Sequence, residues 1–168
     1  MALLKDGQPH IDDFTDVSAK EALDAPLQTT APLIVSLTQW QQHRAALLLR
    51  DAPLGIVLRS DEKPDTISAE LERFAIIALD FPTFRDGRAY SYARLLRQRY
   101  GYTGELRAIG DVLLEQLHFM HRVGFNSFQL ASDDAVAEWQ IAASDITVWY
   151  QPTGDGRTTA IQQRHAVR

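Results

Sequence analysis

Short apolar runs alternate along the chain with segments of helical periodicity. Pro32–Leu37 (PLIVSL), Leu54–Leu58 (LGIVL), Phe74–Leu79 (FAIIAL), Glu105–Ile109, Ser127–Ala131 and Ile146–Tyr150 read as strands. Between them, 38–50, 66–73, 89–100, 112–123 and 133–143 read as helices. Thr38, Asp65 and either Ser132 or Asp133 are the expected N-caps, and Gly101 and Gly124 the expected stops. The strands look continuously apolar, which is the pattern of strands covered on both faces. Strands alternating with helices pair in parallel through right-handed crossovers. The expected fold class is therefore α/β, with a mostly parallel sheet of five or six strands, helices on both faces and residues 75–79 central and buried. A partial (βα) barrel is the alternative architecture; six strands are too few for the closed eight-stranded form.

The flanks differ from this repeat. Residues 1–30 read as an N-terminal arm or small hairpin, because Asp6-Gly7 is a hairpin turn signal. Residues 31–151 form the α/β domain. Residues 152–168 read as a tail, in which 158–163 could return as an antiparallel edge strand.

Composition narrows the chemistry. The 168 residues carry a net charge of −5, which argues against a general nucleic-acid binder. The chain has no cysteine, so disulfides, thiolate catalysis and cysteine-held metals are excluded. The first residues are too short an apolar run for a signal peptide, and no run approaches the roughly twenty apolar residues of a membrane span. A Gly-x-Gly-x-x-Gly loop, a phosphate-binding Gly-x-x-x-x-Gly-Lys-Ser/Thr loop and a Gly-x-Ser-x-Gly elbow are all missing. No pattern names a cofactor.

Against the acidic whole, six of fourteen arginines fall between Arg85 and Arg107, with only Asp80, Asp86 and Glu105 as acids from 80 to 110. Such asymmetry attracts anions. Ligands of parallel sheets sit at the carboxyl ends of the strands. The connection from Asp80 to Tyr90 is long, and Asp111 ends the neighbouring strand. Asp80, Arg85, Asp86, Arg88, Tyr90, Ser91 and Asp111 are thus the candidate ligand-binding residues. Arg85 and Arg88 could grip a phosphate, sulfate or carboxylate, or they could pair with Asp80 and Asp86 across an Asp86-Gly87 turn. Arg94, Arg97 and Arg99 read as a solvated helix face, or else as a docking surface for an acidic protein. Asp111, Glu115 and His118 fall on one helical face, with His121 a turn beyond, but the set is half of a carboxylate metal site and no metal is expected.

The segment Phe81-Pro82-x-Phe84-x-Asp86-Gly87-Arg88-x-Tyr90-Ser91-x-Ala93-Arg94-Leu95-Leu96 resembles a bacterial domain-of-unknown-function family. So does its continuation from Arg99-Tyr100-Gly101-Tyr102 through Gly110-Asp111-Val112 to Gly124-Phe125. Members are encoded beside a sulfite reductase haemoprotein. The resemblance implies a cytoplasmic protein serving assimilatory sulfite reduction, with sulfite reductase as partner. It supplies no catalytic residues, and His118 and Val123 replace an aromatic and a cysteine usual in the family. The expected function is an accessory or adaptor protein with an anion-binding or protein-docking loop. The alternative is an oxidoreductase holding a cofactor at the strand ends.

Overall fold

The computed structural model describes residues 1–21, 23, 27–132 and 134–166. In chain order the elements are β1 (Ala2–Lys5), β2 (Gln8–Pro9), β3 (Thr15–Asp16), β4 (Leu33–Ser36), α1 (Leu37–Leu48), β5 (Leu54–Leu58), a 3-10 segment (Pro64–Arg73) and β6 (Phe74–Phe81). They continue with α2 (Arg88–Arg94), which runs into a π-helical turn (Leu95–Arg99), then β7 (Glu105–Gly110), α3 (Leu114–Val123), β8 (Ser127–Leu130), α4 (Ala135–Asp145) and α5 (Ala160–Ala166).

One eight-stranded sheet has the order β2-β1-β8-β7-β6-β5-β4-β3. Pairing is parallel from β3 to β8, but β1 is antiparallel to both β8 and β2, so the sheet is mixed. Strands β4 to β8 lie in chain order without reversal. A doubly wound sheet reverses its order at a switch point to place helices on both faces. Here successive right-handed crossovers all fall on one side. The expectation of helices on both faces therefore gives way to the half-barrel alternative.

The registers sort side chains cleanly. Leu33, Val35, Leu54, Ile56, Ile77, Leu79, Leu106, Ala108 and Phe128 point to the helix side and belong to the apolar core. Ile34, Gly55, Ile76, Glu105, Val57, Ala78, Arg107 and Ser127 share the opposite, concave face. Crowding on that inner radius explains Gly55: a Cβ there would lie 2.9 Å from Ile34 Cγ1 and 3.2 Å from Ile76 Cβ.

Chain length enforces the curl. β2 and β3 are opposite edges of the sheet, seven strand spacings apart. Along the sheet that is about 34 Å, at ~4.8 Å per spacing. Residues 10–14 alone join them, and Pro9 to Thr15 spans at most about 20–22 Å when fully extended. The sheet must bend until its edges approach, and residues 10–14 become a strap across the open concave side.

Local chemistry accounts for the ends of elements. Asp6 (φ 50) and Gly7 (φ 76) form the hairpin turn expected from their sequence. Ser36, not Thr38, caps α1: its Oγ accepts from Gln39 N (3.2 Å), and Gln39 Oε1 accepts from Ser36 N (2.8 Å). Lys63 rather than Asp65 precedes the 3-10 segment and offers it no side-chain cap. Asp134 caps α4 by accepting from Ala137 N, and Ser132 Oγ accepts from Asp134 N; Asp133 lies outside the described residues. Gly124 (φ 116) ends α3 as expected. The run 146–150 is not a strand, because β1 already occupies the free edge of β8. Trp149 makes an isolated bridge to Thr159 instead. Residues 160–166 form a short helix where an edge strand is expected.

Candidate functional site

The loop after β6 is fixed from three directions. Asp111 N donates to Phe81 O (2.7 Å), and Asp111 Oδ2 accepts from Phe84 N (2.7 Å). Gln116 Nε2 donates to Phe84 O (3.4 Å). Asp111 is therefore a loop clamp rather than a helix cap, since α3 begins only at Leu114. Gly110 (φ 91) permits the turn, as a Cβ there would strike Phe81 O and Asp80 Oδ1.

Asp86 and Arg88 neutralise each other. Arg88 Nε and Nη2 donate to the Asp86 carboxylate at 2.6–3.2 Å, and Nη2 also donates to Ser60 Oγ (2.8 Å). This bond holds the Asp86 carboxyl well below the usual carboxylate range. Tyr90 packs edge-on against Phe81, with centroids 5.4 Å apart, and burial pushes its phenol up. Asp80 is half-buried, and burial raises its pKa against the opposing pull of Arg59. Ser91 faces elsewhere: it lines a surface groove along α2 with Arg94, Leu95, Gln98 and Arg99. The structure thus gathers Asp80, Asp86, Arg88, Tyr90 and Asp111 around one loop, and leaves Ser91 outside it.

Three of the six arginines, Arg88, Arg97 and Arg107, are tied into the fold, while Arg94 and Arg99 stay exposed on their helix. Arg97 is not solvated: it donates to the carbonyls of Tyr102, Gly104 and Gly124 at 2.6–2.9 Å. Arg94 bonds Gln98, and Arg99 lies over the Tyr100 ring. Arg107 is 4% exposed on the concave face. Arg85 remains, exposed and without an ion pair or hydrogen bond among the described residues. Beside it Phe84 is 46% exposed and Leu113 38%. An apolar knob with one unneutralised cation therefore stands at the carboxyl rim of the half-barrel.

The concave face holds a second polar group that the strand reading missed. Glu105, 6% exposed, accepts from Arg107 Nε (2.8 Å) and pairs with Lys5 Nζ (2.9 Å). Arg107 Nη1 also pairs with Asp12 Oδ2 of the strap (2.6 Å). Burial works against the Glu105 carboxylate, but Lys5 and Arg107 together hold its pKa below the ordinary value. A signal was present: Glu105-Leu106-Arg107-Ala108 and Ser127-Phe128-Gln129-Leu130 alternate polar with apolar, which marks strands with one polar face.

The expected helical trio does not assemble. Asp111 precedes α3, and Glu115 is exposed. His118 is buried, stacked on Trp149 (4.4 Å, 14°), with Nδ1 3.2 Å from Ala142 O. Among the described residues no group of three His, Asp or Glu is arranged to hold a metal ion. Arg122 lies over the other part of this cluster, 4.2 Å from the Trp149 ring centre, and pairs with Asp155 (2.9 Å). Burial, followed by Arg122 and Arg157, lowers the His118 pKa. A lowered histidine pKa means the unfolded chain takes up the proton first. The contribution of His118 is complete above about pH 6.5 and is lost as pH falls below it, until the folded protein also titrates. Thermal melts from pH 8 to 5 should therefore fall more steeply for wild type than for His118→Gln; parallel curves would dismiss this assignment.

Among the described residues no helix is long and apolar enough to cross a membrane. No curated protein matches the chain. The model of a family described as "Bacterial protein of unknown function (DUF934)" matches residues 55–161, which carry β5 to β8, the loop after β6 and the Glu105–Arg107 pair, and the chain belongs to that family.

Proposed function

We propose that this protein is a non-catalytic accessory of assimilatory sulfite reduction, docking on the sulfite reductase haemoprotein through the loop 82–86. The observation that carries the reading is the loop itself. It is pinned by Asp111 and Gln116, yet it presents Phe84 and the unneutralised Arg85 to solvent. A preorganised aromatic beside an arginine is the composition of a binding hot spot, because little ordering entropy remains to be lost. The partner and the pathway come from the family resemblance. A small anion at Arg88, the other expectation, is less well supported, because Asp86 already fills its fork.

Calorimetric titration with sulfite reductase tests the reading. Phe84→Ala and Arg85→Ala should each weaken binding about tenfold or more, as hot-spot truncations costing over ~1.4 kcal/mol do. Arg88→Ala should change it less. Sulfite, sulfate and phosphate should give no comparable heat. Equal affinity for wild type and both loop variants would remove the loop from the interface, and absence of any binding by the wild type would refute the docking role.

A further inference from the structure

We propose that the concave face under the strap is a binding site for a small monocarboxylate, and that the Asp12 side chain is its built-in competitor. Two guanidinium nitrogens of Arg107 face the Asp12 carboxylate: Nη1 donates to Oδ2 (2.6 Å) and Nη2 to Oδ1 (3.3 Å). That is the forked contact by which arginine recognises a free carboxylate. Arg107 is 4% exposed, so its geometry is fixed before any ligand arrives. The adjoining cavity, lined by Asp16, Val57, Ala78, Ile109 and Gln129, measures about 50 Å³. It has room for one or two waters at ~30 Å³ each, and withdrawal of Asp12 would enlarge it where the guanidinium points. Opposite Arg107 in the ladder, the fully buried Ser127 hydroxyl lies beside Glu105 and helps to hold its charged form.

The strap is built to yield. His10, Ile11, Asp12 and Asp13 are exposed, and neither Ile11 nor Phe14 joins the apolar core. Among the described residues, Asp12 is the one polar tie from 11–14 to the concave face; Phe14 N turns back onto Asp12 itself. The flanking bonds, His10 N to Leu3 O and Thr15 N to Pro32 O, belong to the strand edges and can stay in place as hinges. A segment with so few contacts opens at low cost.

Charge selects the ligand. Lys5 and Arg107 balance Glu105 and Asp12 in this group. A monocarboxylate in place of the Asp12 carboxylate leaves the charge of the site as it was, Asp16 on the cavity wall included. A dianion would add a further negative charge beside Asp16, at the cost such burial carries. Binding in the wild type is reduced by the fraction of time the strap is closed.

The test uses the full chain and acetate. Calorimetric titration should show acetate binding to Asp12→Ala at least tenfold more tightly than to wild type, and chloride at equal ionic strength should not substitute. The double variant Asp12→Ala/Arg107→Met should lose the gain. Asp12→Asn, which keeps the volume and removes the charge, serves if the alanine variant folds poorly. On the wild type itself, acetate should speed amide exchange at residues 11–14 while leaving β6 and β7 unchanged. The proposal fails if acetate stabilises or binds Asp12→Ala and Asp12→Asn no better than chloride does. It fails equally if the Arg107 variant binds acetate as well, or if acetate leaves strap exchange in the wild type unaltered.

Discussion

Arg107→Ala is expected to destabilise the fold by about 3–5 kcal/mol, the usual result of removing one partner from a buried ion pair. Glu105, almost wholly buried, would keep only Lys5, which is itself partly exposed. The strap would lose its anchor at Asp12 in the same change. In a chain of this size the loss amounts to roughly 6–20 °C in Tm, at 2–4 °C per kcal/mol. Urea unfolding should show a lower midpoint with an unchanged slope, since the surface exposed on unfolding is the same. Arg88→Ala is the control. Its pairing with Asp86 is solvent-exposed, and its loss should leave the midpoint nearly where it was. A midpoint for Arg107→Ala equal to that of Arg88→Ala would mean the concave network is not a structural element.

Gly110→Val carries the second large effect, and it links the fold to the loop proposed to dock. At φ 91 a β-branched residue is strained by roughly 1–3 kcal/mol before any contact is considered. The added Cβ also strikes the Phe81 carbonyl, which accepts the Asp111 N–H. Relief requires the Asp111 clamp to shift, and with it Phe84. Gly101→Val separates the two causes: Gly101 has φ 67, but nothing lies within 4 Å of a Cβ there. Both variants should lose stability, and only Gly110→Val should also lose affinity for sulfite reductase despite keeping Phe84 and Arg85. Equal affinity in the two variants would show that the clamp does not organise the loop.

Strands β4, β5 and β6 were legible because each is dominated by Leu, Ile, Val or Phe between turn signals, as in Leu54–Leu58 and Phe74–Phe81. Their arrangement was not. Strand order is decided by which edges come together, and a two-residue strand such as Thr15–Asp16 leaves no periodic trace. Ile146–Tyr150 has strand composition, but β1 had taken its place beside β8, leaving Val148 and Tyr150 exposed. Reading all strands as doubly covered hid the alternation of Glu105 and Arg107, and with it the concave network. In the candidate site, the pairing of Asp86 with Arg88 could be read from their spacing across a turn. The burial of Arg97 could not, because the carbonyls it binds come from Tyr102, Gly104 and Gly124, brought together only by the fold.

Amide exchange of the full chain, with and without sulfite reductase, tests the central claim most directly. Docking through the rim loop predicts slowed exchange at residues 83–86 and 111–116, with the helices on the convex side and α5 unchanged. Protection centred on α5, on the groove along α2 or on the strap, or no protection at saturating partner, would contradict it.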